Sequence, residues 1–311
     1  DVYKRQLPCL FTGLLLPAYA VAQDATGREN PDSSIPYETG NKEEAAYEER
    51  WSDFLPIFGR AAREQGYVLP RPFGVSLGYM GQKQPFDVDG LTVEGVDVKS
   101  AGIAVVDEVD NQEDTVTFRF DAWIFPFLNL YGILGKTDGQ AEGPLMVNLS
   151  NLPGLGDLPV QPIQTTFDIS YTGDVGGGGL TLAGGYKDFF GMIDSNYTVT
   201  DLDISKTDAK AWVTSTRFGW NGKLGIFTGA LWVGAMYQDI NQTLDLEVPI
   251  PPALVGLVGK PFLDVSVEQS TQAPWNTVLG GRWEFGKGFE MLAEFGFGKR
   301  RSNMVVATYR F

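Results

Sequence analysis

Ten charged residues sit on the polar face of alternating segments: Arg119, Asp121, Asp168, Asp194, Arg217, Arg282, Glu284, Glu290, Glu294 and Arg310. On an extended chain, successive side chains face opposite ways, so each charge lies across the backbone from an apolar face. Interleaved guanidiniums and carboxylates can do two things inside a closed structure. They can pair with one another and stiffen a narrow interior, or they can line a conduit and sort what passes through it. A ring of one sign would name the permeant charge, and a mixed ladder does not. The chain contains no histidine, which removes an imidazole base, a Ser-His-Asp site and histidine metal ligation. No catalytic residue, metal site or cofactor is expected.

Other stretches resemble chemistry without supplying it. "GILGKT" (132–137) has the outline of a phosphate loop, but Leu130 stands where that motif needs glycine. "GDVGGGG" (173–179) is followed by no helical pattern and reads as a flexible turn. Asp107, Glu108, Asp110, Glu113 and Asp114 crowd one stretch that could attract calcium, yet their spacing fits no established loop. They read as a solvated turn, as do Asp201, Asp203 and Asp208. Residues 143–162 and 246–262 are apolar and rich in proline and glycine, and exposed surfaces of that kind mark contacts. They are expected either to fold together as a cap or to form a capture site for hydrophobic solutes from Leu145, Met146, Leu152, Leu155, Ile250, Leu254, Val255 and Leu257.

The elements that would position these residues emerge from hydropathy. Lys4 and Arg5 precede an apolar run from Leu7 to Leu16, then Pro17 and small-residue sites ending at Ala20 and Ala22. That order predicts a secretory signal over 1–22, with an apolar run too short to span a membrane as a helix. Cys9 lies in no lipid-attachment motif, and cleavage after Ala22 leaves no cysteine. Residues 23–41 read as a linker. Tyr47, Trp51, Phe54, Leu55 and Phe58 give an amphipathic helix over 42–65, which Pro56 should break. That helix either docks on the C-terminal remainder of the chain or plugs a lumen. The periplasmic part is thus 23–72, and 73–311 forms the second unit.

From Phe73 the period is two. Strands are expected near 73–81, 85–94, 96–107, 114–125, 127–137, 162–173, 178–203, 208–220, 222–238, 274–285, 288–298 and 302–311. That makes about twelve, with ten or fourteen open because 85–107 and 178–203 are ambiguous. Tight turns are expected at 94–96, Pro126, 221–223 and 286–288, and long connections at 138–161 and 239–273, with a shorter one at 107–114. A soluble barrel would turn the apolar faces inward. A membrane barrel turns them outward, with aromatics at strand ends, as at Trp123, Phe125, Phe127, Trp212, Trp220, Trp283 and Phe285.

The last segment, "NMVVATYRF", places Val305, Ala307, Tyr309 and Phe311 on one face. It resembles the C-terminal signature of Gram-negative outer-membrane β-barrel proteins. The resemblance implies an all-β, antiparallel up-and-down transmembrane barrel, located in the outer membrane after export. It also implies contact with lipid and lipopolysaccharide, a closing strand presented to the assembly machinery, and a monomer. Passive passage of a small solute is the expected function, porin-like and suited to a hydrophobic substrate. A sealed structural or surface-interaction barrel is the alternative, and an autotransporter-like translocator a third. The resemblance implies no enzyme: outer-membrane lipases, acyltransferases, deacylases and omptin-like proteases depend on histidine. Strong acidity excludes nucleic acid as a partner.

Overall fold

The computed structural model describes residues 54–64, 67, 69–106, 108–148, 161–224, 227–249, 261–286 and 288–311. The expected signal, the linker and the first part of the expected helix lie outside them. The chain enters through α1 (Gly59–Glu64), which begins after Pro56, where the proline was expected to break it.

Among the described residues thirteen strands form one antiparallel sheet. The first long strand, β1 (Phe73–Val93), is followed by two short ones, β2 (Val96–Asp97) and β3 (Ala104–Val105). Then come β4 (Glu108–Phe125), β5 (Leu128–Val147), β6 (Ile163–Tyr186), β7 (Phe189–Leu202), β8 (Ala209–Leu224) and β9 (Phe227–Pro249). The last four are β10 (Phe262–Thr271), β11 (Trp275–Phe285), β12 (Phe289–Phe297) and β13 (Arg301–Arg310). β-Branched and aromatic residues fill these segments, as a pleated, half-buried surface favours.

The sheet closes because β1 pairs with β4 on one edge and with β13 on the other. Phe73 and Phe311 exchange both backbone hydrogen bonds, at 3.2 and 3.0 Å, and their rings stack at 6.0 Å. Within the belt the ring of paired strands leaves no open edge among the described residues, the condition for crossing hydrocarbon with strands. Ten strands make the circle among the described residues: β1, β4 to β9, β11, β12 and β13. The excess in the expected count has two causes. The segments at 73–81 and 85–94 are one continuous strand, and 96–107 is a connection bearing only the two-residue β2 and β3.

The stretches expected as long loops, 138–161 and 239–273, begin as strand, and 262–271 is strand again, while 149–160 and 250–260 lie outside the described residues. β5 and β6 pair up to Val147 and Ile163, and β9 and β10 up to Pro249 and Phe262. Likewise, Glu108–Asp114 belongs to β4, and Asp201 to β7. The glycine run at 173–179 lies within β6, paired to β5 and β7. Here cross-strand pairing overrides local flexibility: a Cβ on Gly177 would come within 2.3 Å of the Tyr197 carbonyl oxygen. Asn221–Lys223 also remains in β8. The turns at Pro126 and 286–288 are as expected, with positive φ at Gly286 and Gly288. The turn at Glu94 and Gly95 is real but lies at the opposite end from those two.

The outer surface carries an apolar belt. Leu77, Phe118, Phe120, Leu130, Leu182, Ile193, Phe218, Leu231, Val233, Leu279, Met291 and Phe295 are all exposed. Aromatic pairs rim it: Tyr197 with Trp212 and Tyr237 with Trp275 above, Phe189 with Phe218 and Phe289 with Tyr309 toward the turns. An outward apolar band between aromatic rims is the arrangement of a lipid-facing barrel. The protein is therefore a transmembrane β-barrel of the outer-membrane class.

Above the belt the wall changes in two ways. The short β12–β13 hairpin ends, and β1 transfers its pairing from β13 to β10 between Lys83 and Phe86. At that level eight strands, β1 and β4 to β10, pair in a ring, above which β6 runs on beyond the end of its ladder with β7 at Gly173. The faces also exchange character. On β6, Phe167, Ile169 and Tyr171 line the interior while Asp168 points outward. The expectation that Asp168 faces the lumen is thereby corrected. Hydrocarbon no longer surrounds the wall at this height, so polar residues face water and apolar ones pack inside.

Candidate functional site

Below the exchange of faces, alternation sends polar side chains inward, where lipid cannot desolvate them. Arg119, Asp121, Asp194, Arg217, Arg282, Glu290 and Arg310 line a common interior cavity, and Glu294 is buried against Arg217. These groups form two networks. In the first, Arg310 Nη1 lies 3.1 Å from Asp121 Oδ2, and Arg310 Nε lies 3.4 Å from Glu290 Oε1. Asn129 Nδ2 donates to the same Asp121 oxygen at 2.7 Å, and Arg119 Nη2 donates to Asn129 Oδ1 at 3.0 Å. The Arg119 guanidinium also lies 3.6 Å over the Tyr131 ring, whose hydroxyl donates to Asp194 at 2.8 Å. In the second, Arg217 grips Glu294 through Nε and Nη2 at 2.6 and 2.8 Å, and Trp232 Nε1 donates to the same carboxylate at 2.6 Å. Arg282 and Glu284 pair at 3.1 Å on one strand.

Such forked pairs hold planar groups in fixed orientation. Both members of the Arg217–Glu294 pair are buried, so each depends on the other to offset its desolvation. The ten sequence-derived charges thus separate into nine that face inward and Asp168, which instead accepts from Gln140 on the outer surface at 2.7 and 2.9 Å.

A tier of hydroxyl, amide and carboxylate groups lies above them. Glu113 accepts from Thr115 at 3.0 Å and from Thr137 at 2.9 Å, and Tyr171 donates to Asn111 at 2.7 Å. Gly139 makes room for Tyr171, since a Cβ there would meet the ring at 2.1 Å. Arg300 also belongs to this height. Wholly buried in the β12–β13 turn, it donates to Gln238 Oε1 at 2.5 Å and to the Met236 carbonyl at 3.3 Å. Burial pushes its guanidinium down to about 10.

Above the exchange of faces lies an apolar vestibule. Phe86, Val88, Leu91, Val109 and Ile240 form its buried wall, with Leu145, Phe167, Val265 and Val267 packed against them. Residues 96–106 fill the wall between β1 and β5 above the start of β4 and turn Val98, Ile103 and Val106 inward. This connection is pinned by Val98 N–H to the Leu91 carbonyl at 3.0 Å, Asn148 N–H to the Ile103 carbonyl at 2.7 Å, and Lys99 to the Val88 carbonyl. Asp97 accepts from Ser100, and those hydrogen bonds hold its carboxyl below the usual range. The cavity running from vestibule to charged tier measures about 780 Å³.

Of the apolar loop residues expected to capture solutes, Leu145 faces this cavity and Met146 points outward. Leu152, Leu155, Ile250, Leu254, Val255 and Leu257 lie outside the described residues. Val305 and Tyr309 sit on the lipid face, as their alternation requires, and Ala307 shares that face opposite Leu77. Sequence reasoning missed Arg300, whose only signal was the Lys-Arg-Arg run after Gly298. It also missed Phe86, Val88 and Val109, read as lipid-facing strand or loop.

Neither family models nor curated proteins match the chain. Among solved structures, it is similar to the outer membrane protein OprG from Pseudomonas aeruginosa, with 13% identity and a TM-score of 0.40, covering 78% of this chain and 98% of that one. An outer membrane channel from Pseudomonas putida F1 gives 9% and 0.35, covering 78% and 97%. The beta domain of the Bordetella autotransporter Brka gives 9% and 0.34, covering 78% and 100%. The class of this barrel rests on its own closure and belt.

Proposed function

We propose that this barrel carries a small, largely apolar solute passively across the outer membrane, taking it up in the vestibule. The supporting observation is the exchange of faces: where the wall leaves lipid, its interior becomes apolar around a cavity rather than filling it. Water in an apolar cavity lacks hydrogen-bond partners, so an apolar solute displaces it favourably. The mixed charged tier beneath would reject no charge sign and would retard bulk ions. The protein performs no bond chemistry in this reading. It is exported by its N-terminal signal, inserted by the assembly machinery and faces lipopolysaccharide as a monomer.

Naphthalene binding by purified protein in detergent, read from Trp232 and neighbouring tryptophan quenching, tests the vestibule. Saturable binding that Phe167→Asp abolishes is expected, together with uptake into proteoliposomes above that of empty ones. No binding and no added uptake would overturn the reading. The ion-paired tier favours a second one, a sealed structural barrel, which predicts no conductance in planar bilayers at any voltage and no solute flux.

A further inference from the structure

The segment ahead of β1 meets the barrel at a β-bulge. The β4–β5 register slips between Trp123 and Phe125, leaving Ile124 as the extra residue. Bulges re-aim side chains. Here Trp123 faces the interior cavity opposite Asn129, whereas Phe125 pairs with Leu128. Leu128 shares a face with exposed Leu130, so the slip turns Phe125 outward at the lower rim of the belt. The Ile124 carbonyl, freed from the ladder, accepts the Ile57 N–H at 2.8 Å. Phe58 then stacks on Phe125 at 6.0 Å, and Phe125 stacks on Phe127 at 5.5 Å. The three rings run on from the rim formed by Phe73, Phe120 and Phe311, where Phe73 stacks on the other two.

Phe54 and Phe58 nevertheless remain 73% and 69% exposed, with Ile57 beside them at 44%. Three large apolar side chains on one short segment make a patch that water penalises. We infer that residues 54–58 form an interfacial anchor seated in the phospholipid headgroup region at the turn end of the barrel. Two features select lipid as the occupant. The patch stacks on Phe125, which shares β4 with the lipid-facing Phe120, and Phe58 is thereby held on the outer face rather than turned into the lumen. Phenylalanine and isoleucine on a surface segment leave water by burying themselves at the boundary between headgroups and acyl chains. The anchor is independent of what the lumen carries, so it stands or falls separately from the transport reading.

The test uses the full chain in phospholipid vesicles, with Cys9→Ala and a polarity-sensitive dye on Phe58→Cys. Dyes on Leu279→Cys and Asp168→Cys mark the belt and the water-facing wall. Phe54→Cys repeats the measurement without disturbing the Phe58–Phe125 stack. Expected at both sites is strong quenching by lipids brominated near the headgroup, weaker quenching by lipids brominated at the chain end, and protection from aqueous iodide. Iodide quenching equal to that at Asp168→Cys would overturn the inference and place the segment in water. Quenching by neither agent would overturn it as well, and would return the segment to the lumen as a plug.

Discussion

Leu279→Arg probes the orientation of the whole wall. Leu279 lies on β11, four residues from Trp275 at the upper rim and six from Phe285 at the lower one. At about 3.3 Å per residue and a tilt of about 40°, those ten steps rise about 25 Å, which puts Leu279 about 10 Å below the upper rim and near mid-depth. Its cross-strand neighbours are Val233 and Phe295, both exposed on the same face. An arginine there has no polar partner to reach. The expected cost is about 3 kcal/mol, more than a hundredfold in the ratio of folded to unfolded protein. Urea unfolding in phospholipid vesicles, monitored by tryptophan fluorescence, measures it. Asp168→Arg is the matched control, also outward but above the belt, and is expected within about 0.5 kcal/mol of the parent. Equal effects for the two variants would refute the assignment of lipid to one face and water to the other.

Glu294→Ala strands the buried Arg217 guanidinium and should destabilise by about 3 to 5 kcal/mol, whereas Arg217→Met with Glu294→Leu should recover most of the loss in the same unfolding assay. Gly139→Val should displace Tyr171 and cost about 1 to 3 kcal/mol, with Tyr171→Ala in the same chain removing most of that penalty. Asp97 titrates below its ordinary value in the folded state, so its contribution is present above about pH 4 and is lost as pH falls through the folded value. Hydrogen exchange over 96–106 should therefore accelerate on acidification, and Asp97→Asn should abolish that pH dependence.

The strands nearest the C-terminal end were the most legible. In β11, β12 and β13 the alternation of Leu279, Met291, Phe295 and Tyr309 against charged or small residues holds over a full strand, and one face only meets lipid. In β6 the same alternation misled. Phe167, Ile169 and Tyr171 read as lipid-facing because period two gives the faces but not which solvent each meets. That depends on height, which a single strand does not encode. Glycine misled for a related reason. The run at 173–179 looked like a turn because local conformational freedom is readable, whereas the crowding by Tyr131 and Tyr197 that requires small residues comes from β5 and β7. Nine of the ten charges lie at inward-facing positions, since a charge inside the belt has one tolerable side. Their partners were not legible, because Arg217 and Glu294 are 77 residues apart and meet only across the closed barrel.

The loss of two strands above β12 and β13 sets a mechanical limit. The girth of a barrel grows with strand number, and an eight-stranded one is barely wider than the side chains it holds. The outer section of this protein therefore works as a fixed calliper above a roomier lower chamber. Its bore cannot widen without breaking backbone rungs between β1 and β10, so its free width is set by the size of residues such as Phe86 and Ile240. Trimming one of them to alanine enlarges the gauge, whereas trimming Arg119 or Glu290 further down leaves it unchanged.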